Sequence, residues 1–127
     1  MDIITSTKNK YVKLTRSLAE RKFRAETGLF LAEGVNLLRD MPDYVDVEFV
    51  IARSDRYGEA SAMFARRAVK DGVICVSDEV FKSISDTASP YGIAAICRIP
   101  DMHFEMPAGN ALLLDGVSDP GNLGTIL

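Results

Sequence analysis

The amino-acid sequence predicts an α/β fold, a small three-layer domain built around a mixed sheet. Short apolar runs bounded by glycine, proline or polar residues alternate with helical segments, which is the pattern of βα units. Hydrophobic residues make up 47% and charged residues 26% of the 127-residue chain, a balance typical of a globular protein. This length accommodates one domain of ordinary size with a short appendage.

The first predicted element is a single amphipathic helix over residues 8–25, with Ser6 or Thr7 as its N-cap and its end near Gly28. At about 100° per residue, apolar side chains that include Tyr11 and Leu18 gather on one side. The opposite side collects polar and basic side chains within an arc of roughly 80°: Lys10, Lys13, Ser17, Arg21 and Arg24. One face is therefore expected to pack and the other to present cations.

Strands and helices then alternate as far as residue 99. The predicted strands cover residues 29–32, 45–52, 73–76 and 92–99, and the predicted helices cover 35–41, 59–70 and 79–84. Ser77 or Asp78 is predicted to cap the last of these helices. The strand over 92–99 is apolar throughout, which predicts a central position in the sheet.

The sequence changes character after residue 99. Residues 100–110 contain two prolines and a glycine without periodicity, which indicates a linker. Residues 111–115 form another apolar run that predicts a strand, followed by a glycine-rich loop and the start of a helix. Because a strand without a partner is unstable alone, we expect one domain over residues 1–99, a linker over 100–110, and the incomplete beginning of a second domain over 111–127.

Positive charge is concentrated near the N-terminus. Residues 1–34 carry seven Lys/Arg and four Asp/Glu, whereas the remainder carries eight and fourteen, although the net charge is −3. Phosphate binding depends on where positive charge is presented rather than on the total. The N-terminal segment is therefore the candidate nucleic-acid surface, with a merely solvated helix face as the alternative.

Several other classes of protein are disfavoured. No apolar run reaches the ~20 residues that cross a bilayer, and the N-terminus lacks the pattern of a secretory signal. Cys75 and Cys97 fall in predicted strands, as free buried thiols of a reducing compartment do. His103 has no second ligand at metal-binding spacing. The sequence thus predicts a cytoplasmic protein with neither a membrane partner nor a metal.

The glycine-rich loop after Asp115 is a second candidate site. Its glycines and proline allow the backbone to approach a ligand closely. It is not a P-loop, because no Lys-Ser/Thr follows Gly124, and it does not fit the dinucleotide fingerprint. Asn122 has two open interpretations in this turn, orienting a substrate or bonding its own backbone as a cap.

Three segments resemble one enzyme family. Residues 112–127, Leu-Leu-Leu-Asp-Gly-Val-Ser-Asp-Pro-Gly-Asn-Leu-Gly-Thr-Ile-Leu, resemble the first signature motif of the SpoU/TrmH (SPOUT class) RNA 2′-O-ribose methyltransferases. Two more resemble the RNA-binding domain of that family. One runs from Ile4-Thr5-Ser6 to Glu33-Gly34, and the other from Val76-Ser77 to Pro90-Tyr91-Gly92-Ile93. Together they span nearly the whole chain in the order of the family.

The resemblance implies an architecture and an activity for the intact parent protein. A domain similar to ribosomal RNA-binding proteins is joined to a knotted catalytic domain, which binds S-adenosylmethionine and forms a homodimer. Asn122 matches the active-site Asn of the motif, and the catalytic Arg of the family falls one position beyond Leu127. The parent is thus expected to methylate RNA, most simply ribosomal RNA. The 127-residue chain itself is expected to lack the cofactor site, to bind no cofactor and to be inactive.

The candidate RNA-binding residues lie on the predicted first helix and in the loop after the first strand. The cations are expected to contact phosphates, and Ser6 or Asn9 to reach sugar or base. Glu33-Gly34 is either a turn with a conformationally free glycine or a loop that faces RNA. The full set is Ser6, Asn9, Lys10, Lys13, Arg21, Lys22, Arg24, Glu33 and Gly34.

Two alternatives from other classes remain open. A stand-alone ribosomal-type RNA-binding protein explains residues 1–99 equally well but leaves residues 111–127 without a role. A small-molecule α/β enzyme that binds a nucleotide at the glycine-rich loop leaves the basic helix unexplained.

Overall fold

The structure, a computed structural model, describes residues 2–103 and 105–127; Met1 and Phe104, from the predicted domain and linker, lie outside these ranges. Four strands in these ranges form one mixed sheet in the order β1-β4-β2-β3. β4 runs antiparallel to β1 and β2, and β2 runs parallel to β3. The predicted mixed sheet, with its last strand in a central position, is confirmed. The strands are β1 Leu29–Glu33, β2 Val47–Arg53, β3 Val73–Val76 and β4 Ile93–Arg98.

Six α-helices surround or follow this sheet in the part of the chain that the structure describes. None of them combines the length and apolar character that crossing a bilayer requires. A short 3-10 turn, Ser54–Arg56, leads into the fourth. The helices are α1 Lys10–Ser17, α2 Arg21–Thr27, α3 Val35–Arg39, α4 Tyr57–Met63, α5 Asp78–Ile84 and α6 Pro120–Ile126.

Two apolar clusters, one on each face of the sheet, hold the helices in place. Strand side chains alternate between the faces, so Phe49 packs toward α1 and α5, whereas Val50 packs toward α3 and α4. Val12 of α1 and Phe81 of α5 are fully buried in the first cluster. The helices therefore form outer layers on both faces, with the sheet between them.

The predicted single helix over residues 8–25 is wrong. α1 ends at Ser17 because the N–H groups of Leu18–Glu20 bond to carbonyl oxygens only three residues earlier, which tightens the chain out of the α-helix. The hydroxyls of Thr15 and Ser17 also bond to carbonyl oxygens of the preceding turn, at 2.8 and 2.6 Å, and such bonds weaken a helix. Burial of the Leu18 side chain fixes this turn against the core.

The predicted helix over residues 59–70 is too long at its C-terminal end. α4 stops at Met63, and the chain then turns so that the Arg67 guanidinium donates to the carbonyl oxygens of Met41 and Val45, each at 3.3 Å. Val69 then forms an isolated parallel bridge with Val47. These long-range contacts require a turn followed by extended chain where the sequence pattern indicated helix.

The predicted strand over residues 111–115 is also absent. No strand in the described ranges lies beside this segment, and a strand without a hydrogen-bonding neighbour has no ladder to form. Its side chains are exposed, apart from half-buried Leu114. The predicted helix start is present as α6.

Candidate nucleic-acid interface

The segment before α1 is anchored to the edge of the sheet. The N–H of Ile4 donates to the carbonyl oxygen of Cys75 at 2.9 Å. Oγ of Ser6 accepts the N–H of Lys8 at 3.1 Å. Oδ1 of Asn9 accepts the N–H of Tyr11 at 2.9 Å. Asn9 is therefore the N-cap of α1, so the predicted cap at Ser6 or Thr7 is wrong. Among the described residues, the Asn9 amide nitrogen has no hydrogen-bond partner.

α1 presents two of the predicted cations to solvent. Lys10 and Lys13 are exposed and lie three residues apart, which places them side by side on the helix. The ammonium of Lys10 lies 4.9 Å from the centre of the Tyr11 ring, and that ring meets Phe49 edge-on with its centre 4.9 Å away. Packing of the Tyr11 ring against Phe49 thus fixes the orientation of α1, so that Lys10 and Lys13 face solvent.

α2 carries the next pair of predicted cations. Arg21 and Lys22 are exposed, and no residue of α2 is buried. Because the chain turns at Leu18–Glu20, Arg21 lies on a second helix and not on one continuous helix with Lys10 and Lys13, contrary to the prediction. The basic surface is therefore built from two short helices.

Arg24 differs from the other predicted cations. Its Nη1 donates to the carbonyl oxygens of Leu18 at 2.8 Å and of Ala19 at 3.0 Å. It thereby satisfies carbonyl groups that the end of α1 leaves open. Within the described residues, Nε and Nη2 of Arg24 have no hydrogen-bond partner.

Glu33 and Gly34 lie where β1 ends and α3 begins. The Ser85 hydroxyl donates to Oε1 of Glu33, and Oγ of Ser85 accepts the N–H of Thr87 at 3.2 Å. Gly34 has φ of 107°, a conformation that favours glycine. The loop after α5 is thereby tied to the end of β1.

Two of the predicted site residues meet in one groove. Arg24 and Glu33 both line a cavity of about 480 Å³ bounded by α1, β1, α3 and the end of α5. The remaining candidates, including Lys10 and Lys13, do not line this groove.

Ion pairing separates the cations of this segment from the later ones. In residues 2–103 and 105–127, none of the seven Lys/Arg from Lys8 to Arg24 lies within 4.0 Å of a carboxylate oxygen. Six of the eight later ones do: Arg39, Arg53, Arg56, Lys70, Lys82 and Arg98. The positive charge of the N-terminal segment is therefore not compensated by ion pairs within the described residues.

Two members of this unpaired set were not among the predicted cations. Lys8 and Arg16 are exposed and belong to the same segment as the predicted cations. The charge count over residues 1–34 contained them, but the projection onto one continuous helix placed them off the selected face. Lys8 precedes α1, so the helical projection does not apply to it.

Tyr91, at the start of β4, is held by α4 and the turn before it. The Arg56 guanidinium lies 4.3 Å from the centre of the Tyr91 ring, and its Nε donates to the Tyr91 carbonyl oxygen at 3.2 Å. The Tyr91 hydroxyl donates to Glu59, and this hydrogen bond raises the pKa of Tyr91. This residue packs within the domain.

Asn122 lies in the first turn of α6. Asp119 is the N-cap, because its Oδ1 accepts the N–H of Gly121 at 2.8 Å, so the interpretation of Asn122 as a cap is wrong. The side chains of residues 111–127 are exposed, except for half-buried Leu114. As they stand, these residues form no enclosed site that fits S-adenosylmethionine.

The fold and this surface define a small three-layer α/β domain with an uncompensated basic face. Residues 9–95 match the family described as the MRM3-like substrate binding domain, and the chain belongs to that family. The relatives, among them a TrmH-family methyltransferase of known structure, confirm the resemblance to SpoU/TrmH methyltransferases that the sequence motifs indicated.

Three similar proteins illustrate the relationship. The 23S rRNA (guanosine(2553)-2′-O)-methyltransferase RlmP of Bacillus subtilis is 33% identical over 129 residues, which cover 100% of this chain and 49% of that protein. An RNA 2′-O ribose methyltransferase of known crystal structure has a TM-score of 0.72 at 30% identity, over 98% of this chain and 50% of that one. The AdoMet-bound rRNA methyltransferase from Sinorhizobium meliloti has a TM-score of 0.60 at 26% identity, over 76% and 36%. The chain spans about half the length of RlmP and of a second curated relative, from Synechocystis sp..

Proposed function

We propose that this chain is the RNA-binding part of an S-adenosylmethionine-dependent 2′-O-ribose methyltransferase that acts on ribosomal RNA. The observation that carries the proposal is the set of cations from Lys8 to Arg24, which are without carboxylate partners within the described ranges. Uncompensated positive charge on one segment is what phosphate binding requires. The name of the Bacillus subtilis relative supports ribosomal RNA as the substrate.

The basic segment recognises RNA chiefly through its backbone. Lys10 and Lys13 on α1, with Arg21 and Lys22 on α2, contact phosphates, and the amide nitrogen of Asn9 reaches a sugar or base. Folded RNA is recognised largely by its shape and by phosphate and 2′-hydroxyl contacts. The domain thus brings a ribose, rather than a particular base edge, to the catalytic domain.

The same proposal assigns roles to the rest of the chain. Residues 1–99 form the RNA-binding domain, 100–110 the linker, and 111–127 the beginning of the knotted catalytic domain, with Asn122 at its active site. The intact parent is cytoplasmic, binds the methyl donor in that domain and dimerises through it. The 127-residue chain alone transfers no methyl group, since the exposed side chains around Asn122 form no enclosed cofactor site.

RNA binding at two salt concentrations tests the proposal. The probe is a fluorescently labelled ribosomal RNA hairpin, and the readout is its anisotropy with the 127-residue chain. The test variant is Lys10→Ala/Lys13→Ala/Arg21→Ala; Arg24 is left in place because it caps α1. The control variant, Arg39→Ala/Lys70→Ala/Lys82→Ala, removes the same charge from ion-paired cations elsewhere.

We expect affinity that falls with salt and a log–log slope that shrinks by roughly two to three in the test variant. The control variant should keep nearly the whole slope. Equal losses in both variants would show that only net charge matters, and no binding by the unmodified chain would contradict the proposal outright.

A further inference from the structure

The groove lined by Arg24 and Glu33 has the features of a binding pocket for one molecule of modest size. Its volume of about 480 Å³ falls within the range of small-ligand pockets. Leu18 and Ile84 are buried beneath it, and Leu37 stands at its border with 55% of its surface exposed. The groove therefore offers an apolar floor with room for a flat ring system.

The polar groups of the groove are held in place by the surrounding elements. Nη1 of Arg24 is fixed to the end of α1, which leaves its Nε and Nη2 as donors. Oε1 of Glu33 is fixed by the Ser85 hydroxyl, which leaves Oε2 as an acceptor. No ion pair joins Arg24 to Glu33 in the described part of the chain, so both groups can serve a ligand.

We propose that this groove binds a single unpaired guanine base of the RNA, in an inference that rests on the proposed function. Guanine carries the acceptors N7 and O6 on one edge, which match an Arg guanidinium, and N–H donors on its pairing edge, which match a carboxylate. Adenine and the pyrimidines lack this combination of a two-acceptor edge and a two-donor edge. The groove supplies both partners, Arg24 and Glu33.

The charges around the groove favour a base over a phosphate as its occupant. Asp86 lines the groove beside Glu33, and two carboxylates repel a phosphate. Lys10, Lys13, Arg21 and Lys22 lie outside the groove and can hold the phosphates on either side of an extruded nucleotide. One nucleotide can therefore place its base in the groove while the basic helices bind the neighbouring phosphates.

Two hairpins that differ in one nucleotide test this proposal. One carries a single bulged guanosine and the other a bulged adenosine, and a fully paired hairpin serves as the reference. We expect the 127-residue chain to bind the bulged-guanosine hairpin roughly tenfold more tightly than the bulged-adenosine hairpin.

Two variants locate the effect. Glu33→Gln keeps the shape of the side chain but removes the second acceptor, and it should reduce the preference to about twofold. Ala19→Trp places a large ring at an exposed position that lines the groove, and it should weaken binding of the bulged-guanosine hairpin to the level of the paired one. In both variants, binding of the paired hairpin should keep its salt dependence.

The outcomes separate this inference from the proposed function. Salt-dependent binding with no preference between the two bulges, or a preference that survives both variants, overturns the guanine pocket and leaves RNA binding intact. If none of the three hairpins binds at low salt, both the RNA-binding proposal and the guanine pocket are overturned.

Discussion

Nη1 of Arg24 and the carbonyl oxygen of Leu18 lie 2.8 Å apart, in a hydrogen bond that joins α2 to the end of α1. The same nitrogen donates to the carbonyl oxygen of Ala19 at 3.0 Å. A cation is favourable at a helix C-terminus because it meets the negative end of the helix dipole. The relative placement of the two basic helices therefore depends on an arginine that the sequence pattern assigned to the RNA.

Replacement of Arg24 should lower the stability of the fold more than replacement of Lys13, an exposed cation of α1. We expect Arg24→Ala to reduce the free energy of unfolding by about 1–2 kcal/mol, because hydrogen bonds from a charged donor are lost and two carbonyl groups are left open. Urea unfolding measures the change. Lys13→Ala, at an exposed position without an ion pair, is the control and should stay within about 0.5 kcal/mol. Equal effects of the two substitutions would contradict the capping role.

A lysine at the same position separates charge from geometry. Arg24→Lys keeps the positive charge but loses the planar fork of the guanidinium. We expect it to recover less than half of the loss seen in Arg24→Ala, in the same urea measurement. Full recovery would mean that the helix dipole, and not the pair of directed hydrogen bonds, accounts for the stabilisation.

The sequence predicted those parts of the fold that local pattern determines. The four strands of the sheet are mainly apolar runs, and the N-cap of α5 is Ser77, one of the two residues predicted for that position. The turn at Leu18–Glu20 lies outside this category. Besides the hydroxyl bonds of Thr15 and Ser17, its causes are the burial of Leu18 and the bonds from Arg24, whereas the helical periodicity of the sequence continues across it.

The sequence predicted which segment carries the basic residues of the candidate site, but not how these residues are arranged in space. The charge count located the basic segment, because uncompensated charge is visible in sequence. The shared groove of Arg24 and Glu33 was not visible, since it depends on how β1, α1 and α5 meet. The apolar run over residues 111–115 indicated a strand, but strand formation requires a neighbour that sequence pattern does not supply.

A side chain at Gly92 should destabilise the fold. Its φ is 103°, and an added Cβ would lie 3.0 Å from Cγ of Arg56 and 3.1 Å from Cζ of Arg53. We expect Gly92→Ala to lower the free energy of unfolding by about 1–3 kcal/mol because of backbone strain. Thermal unfolding followed by circular dichroism measures this loss.

Gly58 provides the matched control for that substitution. It lies in α4, and an added Cβ would have open space around it. Gly58→Ala should raise stability by up to about 1 kcal/mol, since alanine favours the helix. If both substitutions lowered the melting temperature alike, the left-handed backbone and the two arginines would not be the cause at Gly92.

Stability at alkaline pH should depend on Cys97. Burial raises the pKa of its thiol to about 11 in the folded chain, from an ordinary value of 9.0. The folded state therefore favours the protonated thiol, so this contribution to stability is complete below about pH 8.5 and is lost as the pH rises toward 11. At 1.36 kcal/mol per pKa unit, the loss attributable to this one group approaches about 3 kcal/mol.

Urea unfolding of the unmodified chain and of Cys97→Ala at pH 7, 9, 10 and 11 tests this dependence. The alanine variant should be less stable at pH 7, because a buried sulfur that lies 3.9 Å from that of Met41 leaves a small cavity. Its stability should then fall less steeply with pH, so that the two curves converge. Lysine and tyrosine ionisation affects both proteins alike and cancels in the comparison. Parallel curves would show that the buried thiol does not couple ionisation to unfolding.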